Sequence, residues 1–226
     1  LDATPQGRQL LGCAAQGDAM THEFHDGERQ LQRQFDTERV AERIGGFIAD
    51  TIGDNERVFI EGRDMFFLAT VDADGHANCS YKGGAPGFVR VVDEHTLAFP
   101  NYDGNGMYMS MGNVLQTGDV GLLFIDFQGQ TRTRVNGSAS IDTSDPLLPD
   151  FPEAEFIVRV AVREVFPNCP RYIHKMELVE RSQFVPQLGH TTPSPSWKGM
   201  IAEQSGVDTL PTHDRARDPN TPVADR

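Results

Sequence analysis

The residues of this 226-residue chain best suited to chemistry lie in one short stretch, Asp103-Gly104-Asn105-Gly106-Met107-Tyr108-Met109-Ser110-Met111-Gly112-Asn113. Small residues and amides let backbone N–H groups come close to an anion, and the first turn of a helix carries partial positive charge. A loop of this composition running into a helix suits a phosphate group. No Lys or Arg occurs between Arg90 and Arg132, whereas Asp93, Glu94, Asp103 and Asp119 all do. Cationic partners for a phosphate must therefore come from neighbouring strands, and Arg132, Arg134, Lys82 and Arg90 are the candidates. Arg134 is the favoured charge partner, with Ser110 and Asn113 donating hydrogen bonds and the amides of Asn105 and Gly106 lining the turn. Taken singly each residue has a plainer reading: Arg132 and Arg134 as exposed strand residues, Asn105-Gly106 as a tight turn. Their grouping favours a ligand site.

Other chemistries find less support. Ser, Cys and His are scattered without a triad motif. Gly104-Asn105-Gly106 lacks the third glycine of a dinucleotide fingerprint, since Met109 stands there, and no strand-helix alternation surrounds it. His22-Glu23-Phe24-His25 is one residue short of a zincin spacing and reads as a solvated turn. Cys13, Cys79 and Cys169 are far apart, which suggests neither a disulfide framework nor a thiolate metal site, and no metal is expected. Cys79 reads as a small packed side chain. Trp197, the single tryptophan, is suited to pin the C-terminal segment onto a partner or to stack near a cofactor edge, and pinning is the favoured reading.

The elements that must hold these residues follow from composition and period. A net charge of −13 argues against nucleic acid or an anionic membrane as partner, because both require a basic face. No apolar run reaches membrane-span length, and Leu1 to Gln16 lack the features of a secretory signal, so a reduced, cytoplasmic protein is expected. The chain starts with Leu rather than Met, which leaves room for upstream residues. Residues 1–28 form an N-terminal extension, 29–186 one domain, and 187–226 a polar, proline-rich tail that cannot fold alone. Val40, Ile44, Phe47, Ile48 and Ile52 recur at helical spacing behind Asp36 or Thr37, predicting an amphipathic helix from Asp36 to Ile52, with a shorter one over Asn55 to Glu61.

From Met65 the period changes to that of strands. Met65 to Val71 runs through an Asp74-Gly75 turn into Ala77 to Lys82. Phe88 to Val92, Thr96 to Pro100, Thr131 to Ala139 and Ala154 to Phe166 are further strands. Val120 to Phe127 is apolar enough to be buried on both sides. Arg132 and Arg134 share one face of their strand, and Thr131, Thr133 and Val135 the other. A short helix is predicted after Pro167, with Asn168 or Cys169 at its cap and Pro170 in its first turn. With six or more strands, antiparallel by their short connections, the whole reads as an α+β fold, a split β-barrel at least six-stranded, with flanking helices.

Several of these segments, in order, resemble the pyridoxamine 5'-phosphate oxidase-like family of FMN-binding split-barrel proteins. They include Phe66 to Asp72, Cys79 to Gly84, Pro86 to Arg90, Thr96 to Pro100, Asp103 to Gly106, Ser110 with Gly112-Asn113, Val120 to Phe127, and Arg134-Val135-Asn136-Gly137. Phe166-Pro167-Asn168-Cys169-Pro170-Arg171-Tyr172-Ile173-His174 resembles a signature of one branch. The resemblance implies a homodimer with FMN at the subunit interface, contacted by both chains. It also implies that Asn78, Ser80 and Lys82 lie along the flavin and that Ser110 and Asn113 lie near its phosphate. The oxidase proper carries Arg and Lys where this chain has Ser80 and Met109-Ser110, and its C-terminal arginine-histidine motif has no clear counterpart, Arg171 and His174 being differently spaced. The expectation is an FMN-dependent oxidoreductase acting on an unidentified small molecule by hydride transfer to flavin. The alternatives are a non-catalytic flavin-binding protein for storage or sensing, or a similar barrel using deazaflavin or haem.

Overall fold

The computed structural model describes residues 22–189 and 192–205. They fall into two compact units that divide between Glu177 and Leu178. The first unit opens with three helices, α1 (Asp26–Gln34), α2 (Glu38–Gly45) and α3 (Asp54–Glu61). Strands β1 (Met65–Val71), β2 (Ala77–Gly83), β3 (Arg90–Asp93) and β4 (Thr96–Tyr102) follow. Helix α4 (Met109–Gln116) separates these from β5 (Asp119–Asp126), β6 (Thr131–Asp142) and β7 (Ala154–Pro167). The strands make one antiparallel sheet in the order β2-β1-β5-β6-β7-β4-β3. The sheet thus has seven strands rather than the minimum of six. The four-residue β3 is the short edge strand, and Phe88 and Val89, expected to begin it, are buried in the approach to it.

The sheet curls onto itself. Four strand spacings separate β1 from β4, which laid flat would put them about 19 Å apart, yet the rings of Phe66 on β1 and Phe99 on β4 are 5.0 Å apart. Phe66 also meets Phe88 at 5.8 Å and Phe124 at 5.2 Å. This aromatic cluster, with Leu68, Leu97, Leu122, Val135, Ile157 and Val160, forms a dry core inside the curl. β6 bends at a bulge between Asn136 and Gly137. A Cβ on Gly137 would sit 2.1 Å from the Ala161 carbonyl oxygen, so only glycine lets β7 pass this close.

Several local expectations change. The periodic run from Asp36 to Ile52 is helical only as far as Gly45, because Gly45-Gly46 ends the helix and Ala49 instead bridges to Val165; Val40 and Ile44 are exposed. Helix α1 arises where no period was visible. His25 caps it, accepting from the Glu28 N–H while the Glu28 carboxylate accepts from the His25 N–H, a reciprocal capping box. β5 is buried on its inner face, at Val120, Leu122 and Phe124, and only half-buried on the other. The segment after Pro167 makes a turn, Ile173 N–H to the Pro170 carbonyl, and no helix.

In the second unit, helix α5 (Ser196–Ser205) carries Trp197, whose ring lies 5.7 Å from the Lys198 ammonium. The expected tail therefore contains an ordered helix. Residues 1–21 of the expected N-terminal extension, and 206–226 of the tail, lie outside the described residues. Among the described residues, no helix is long and apolar enough to cross a membrane.

Candidate functional site

The site begins with what alternation does at a sheet edge. On β2, Asn78, Ser80 and Lys82 pair with Thr70, Leu68 and Phe66, the inward-facing residues of β1. Among the described residues no strand follows β2 on its far side, so these inward side chains run past the core to the edge of the sheet. Across from them comes the end of β4, with Asn101 and Tyr102, and then the loop leading to α4. The result is a cavity of about 350 Å³ at the split of the curled sheet, lined by β2, the end of β4, residues 104–106 and the start of α4.

Helix α4 is pinned at both ends. Ser110, buried, donates from Oγ to Ser80 Oγ at 3.0 Å. Asn113 Nδ2 donates to Thr70 Oγ1 at 3.1 Å, and Thr117 Oγ1 donates to the Val71 carbonyl at 2.8 Å. Its N-cap is Tyr108, in the left-handed conformation (φ 48°, ψ 28°), and the Tyr108 side chain makes no capping hydrogen bond. The start of α4, with its partial positive charge, thus lines the cavity without a side-chain cap from its N-cap residue. Gly106 also takes a positive φ, 74°, a turn that glycine makes without strain. Asn105 Oδ1 accepts from the Met107 N–H at 3.0 Å and holds the loop compact.

Among the described residues Lys82 is the one cation lining the cavity. Burial alone lowers its pKa below the ordinary lysine value, and among the described residues no carboxylate pairs with it. Tyr102, on the same lining, is pushed up to about 12, first by burial and then by the Glu153 carboxylate, so it remains a neutral phenol. The Asn101 amide donates to Glu155 Oε2 at 2.8 Å and to the Tyr102 carbonyl at 3.2 Å.

Of the residues singled out from sequence, Asn78, Ser80, Lys82, Asn105, Gly106 and Ser110 come together around this cavity. Asn113 lies one turn further along α4, bonded to Thr70. Arg132 and Arg134 do not line it. They project from the outer face of β6, opposite the inward Thr133 and Val135. The Arg134 guanidinium lies 5.9 Å from the Phe166 ring, and Arg132 Nε is buried without a hydrogen-bond partner. Asn101 and Tyr102 line the cavity but were not anticipated, and Tyr108 lines it from within the Asp103 to Asn113 stretch without having been given a role. His25 serves as a cap and His22 pairs with Glu164 at 3.2 Å, which accounts for both histidines of the near-zincin run. Asp72, Asp74 and His76 are the described residues grouped closely enough to suggest a metal, but they form the β1–β2 turn, Asp72 Oδ1 accepting from the Asp74 and His76 N–H groups.

The sequence pattern of the pyridoxamine 5'-phosphate oxidase family matches residues 52–172, more than half of the chain. The chain belongs to that family. It is similar to several solved structures. HupZ of Group A Streptococcus is 20% identical over 51% of this chain and 93% of its own, with a TM-score of 0.41. An FMN-binding protein of Syntrophomonas wolfei is 14% identical over 64% and 96%, with a TM-score of 0.39. The haem-storage protein HutZ of Vibrio cholerae is 16% identical over 51% and 93%, with a TM-score of 0.37. Among curated proteins, none matches.

Proposed function

We propose that this protein binds flavin mononucleotide in the cavity at the split of its sheet and acts as an oxidoreductase on a small molecule. The observation that carries this reading is a half-buried lysine, paired with no carboxylate among the described residues, sharing a cavity with the start of α4, which has no side-chain cap from Tyr108. A cation held partly out of water costs stability unless an anion joins it. Serine, asparagine and backbone amides around it supply the donors that phosphate oxygens need. Asn78 and Ser80, spaced along β2, are suited to hydrogen-bond the polar edge of a flat ring system.

A bound flavin would supply hydride acceptance and release, leaving position, hydrogen bonding and exclusion of water to the protein. Lys82 would pair with anionic oxygens, Ser110 and the Asn105 and Gly106 amides would cradle them, and Met109 and Met111 would cover the apolar part. A homodimer belongs to the same proposal. Tyr81, Phe67, Leu123, Arg134 and Phe166 stand in register across five strands of the outer face, and Tyr81 is exposed. Pairing of two copies through this face would cover the row and offer Arg132, whose Nε lacks a partner, and Arg134 to a site at the interface. A cytoplasmic setting would keep the exposed Cys79 and Cys169 reduced.

Among the described residues no Asp, Glu, His or Cys lines the cavity, which also suits a protein that carries flavin without turning over a substrate. Absorption spectroscopy separates these. The purified protein, or protein reconstituted with FMN, is expected to show a flavin band at about 450 nm that bleaches with NADH or NADPH and returns in air. Failure to take up FMN would overturn the proposal, a band that no donor bleaches would favour the carrier, and a haem or deazaflavin spectrum would replace the cofactor.

A further inference from the structure

Glu155 stands out of register in β7. Asn101 pairs with Phe156 and Tyr102 with Ala154, so Glu155 faces no residue of β4 in the ladder. A bulge of this kind re-aims the side chain of the extra residue. Here the carboxylate points at the rim of the cavity, where its two oxygens are engaged by different elements. Oε2 accepts from Asn101 Nδ2 and Oε1 from the Tyr108 hydroxyl, both at 2.8 Å. Asn101 ends the buried part of β4, and Tyr108 begins α4. One side chain thus ties together the two ends of the loop that lines the cavity.

That loop has reason to need a tie. It contains Gly104 and Gly106, and Tyr108 holds a left-handed backbone, which a residue with a Cβ adopts only when its surroundings over-determine it. The Tyr108 ring also lies tilted against Phe156 at 6.5 Å, so ring and hydroxyl are both fixed by β7. A carboxylate is otherwise a poor choice beside a cavity suited to anions, since it repels them. It is, however, purely an acceptor, and both groups facing it are donors.

We propose that Glu155 is a positioning residue for ligand binding: by holding Asn101 and Tyr108 together it fixes the loop over residues 103–107 and aims the start of α4 into the cavity. This inference rests on the reading that the cavity takes a phosphate-bearing ligand, and it assigns Glu155 no contact with that ligand. Glu155→Ala unties the loop while leaving Asn101 its bond to the Tyr102 carbonyl. Tyr108→Phe removes one tie alone. Glu155→Gln keeps both, because the amide oxygen accepts from Asn101 while its N–H donates to a rotated Tyr108 hydroxyl.

The test is FMN titration by fluorescence quenching, with hydrogen–deuterium exchange on the ligand-free proteins. Glu155→Ala should weaken FMN binding about tenfold and Tyr108→Phe about threefold, the double variant being no weaker than Glu155→Ala because the two share a bond. Glu155→Gln should stay within about threefold of the unmodified protein. Amides of residues 103–110 should exchange faster in Glu155→Ala and near normally in Glu155→Gln. The proposal is overturned if exchange in this loop is unchanged by Glu155→Ala, or if both Glu155 variants bind FMN more tightly, which would make the carboxylate merely repulsive. If the unmodified protein takes no FMN, the functional reading fails, and the exchange result alone decides the tie.

Discussion

One row of residues crosses the sheet from Lys82 on β2 through Phe66 on β1 and Phe124 on β5 to Thr133 on β6. All four point inward, yet Phe66 and Phe124 are wholly buried in the aromatic cluster, whereas Lys82 at the edge is half-buried in a polar cavity. The contrast is positional. A residue inside the sheet has a strand on either side and a core above it, so an apolar side chain or a small one such as Thr133 is stable there, and a long charged one is not. A residue on the last strand has neighbours on one side only, and a polar side chain can reach past the core to a ligand. The site therefore lies where the sheet ends, and the wall and the edge should respond differently to substitution.

The largest effect belongs to the wall. Phe66→Ala empties the centre of the cluster and should cost about 3–5 kcal/mol of stability, read by urea denaturation, with FMN affinity of the folded fraction unchanged. At the edge the effects should invert. Lys82→Met should weaken FMN binding by about tenfold to a hundredfold, and the ligand-free protein should be no less stable, because a desolvated charge is removed. Burial depresses the Lys82 pKa, so FMN binding should weaken as pH rises through a value below the ordinary lysine range. In the ligand-free protein the unfolded chain holds this proton more tightly, so the stability contribution of Lys82 should rise with pH across the same window.

A smaller effect tests a charge built into the wall for structure. Asp145 is buried, and Arg159 Nη2 donates to its Oδ1 at 3.1 Å. The Arg159 hydrogen bond, first among the causes, lowers the Asp145 pKa. That stability is present above the unfolded value of about 3.9 and is lost as pH falls through the lower folded value. Asp145→Asn should cost about 1–3 kcal/mol at neutral pH and leave FMN binding unchanged. The smallest effect is Ser80→Ala, which removes the Ser110 partner and should cost about 0.5–1.5 kcal/mol of stability with about a threefold loss of FMN affinity. Should Lys82→Met prove as destabilising as Phe66→Ala, the division between wall and edge would not hold.

The strands were legible because alternation and glycine turns mark them directly: Asp74-Gly75 between β1 and β2, with Gly75 at φ 86°, and inward Thr133 and Val135 against outward Arg132 and Arg134 on β6. Helices were less so. The i, i+4 spacing of Val40 and Ile44 continues past Gly45-Gly46, and periodicity does not register a helix stop that glycine supplies. Helix α1 is polar almost throughout and starts at a histidine cap, so neither period nor a Ser, Thr or Asp signal announced it. The cavity was half readable. Asn78, Ser80 and Lys82 share a face by simple alternation, but which face of the sheet the loop covers is a tertiary fact. That is why Arg132 and Arg134, chosen for charge and nearness in sequence, stand on the opposite face from the cavity. Asn101 and Tyr102 went unmarked because β4 reads as an apolar strand ending at Pro100, and the bulge that turns Glu155 toward Asn101 has no sequence signal.

The central claim is that the edge cavity holds a flavin by its phosphate. Calorimetric titration of the full chain with FMN and, separately, with riboflavin tests it most directly, since the two differ only in the phosphate. FMN should bind about tenfold or more tightly than riboflavin, and Lys82→Met should erase most of that difference. Equal affinity for the two, or binding of neither, would contradict the account.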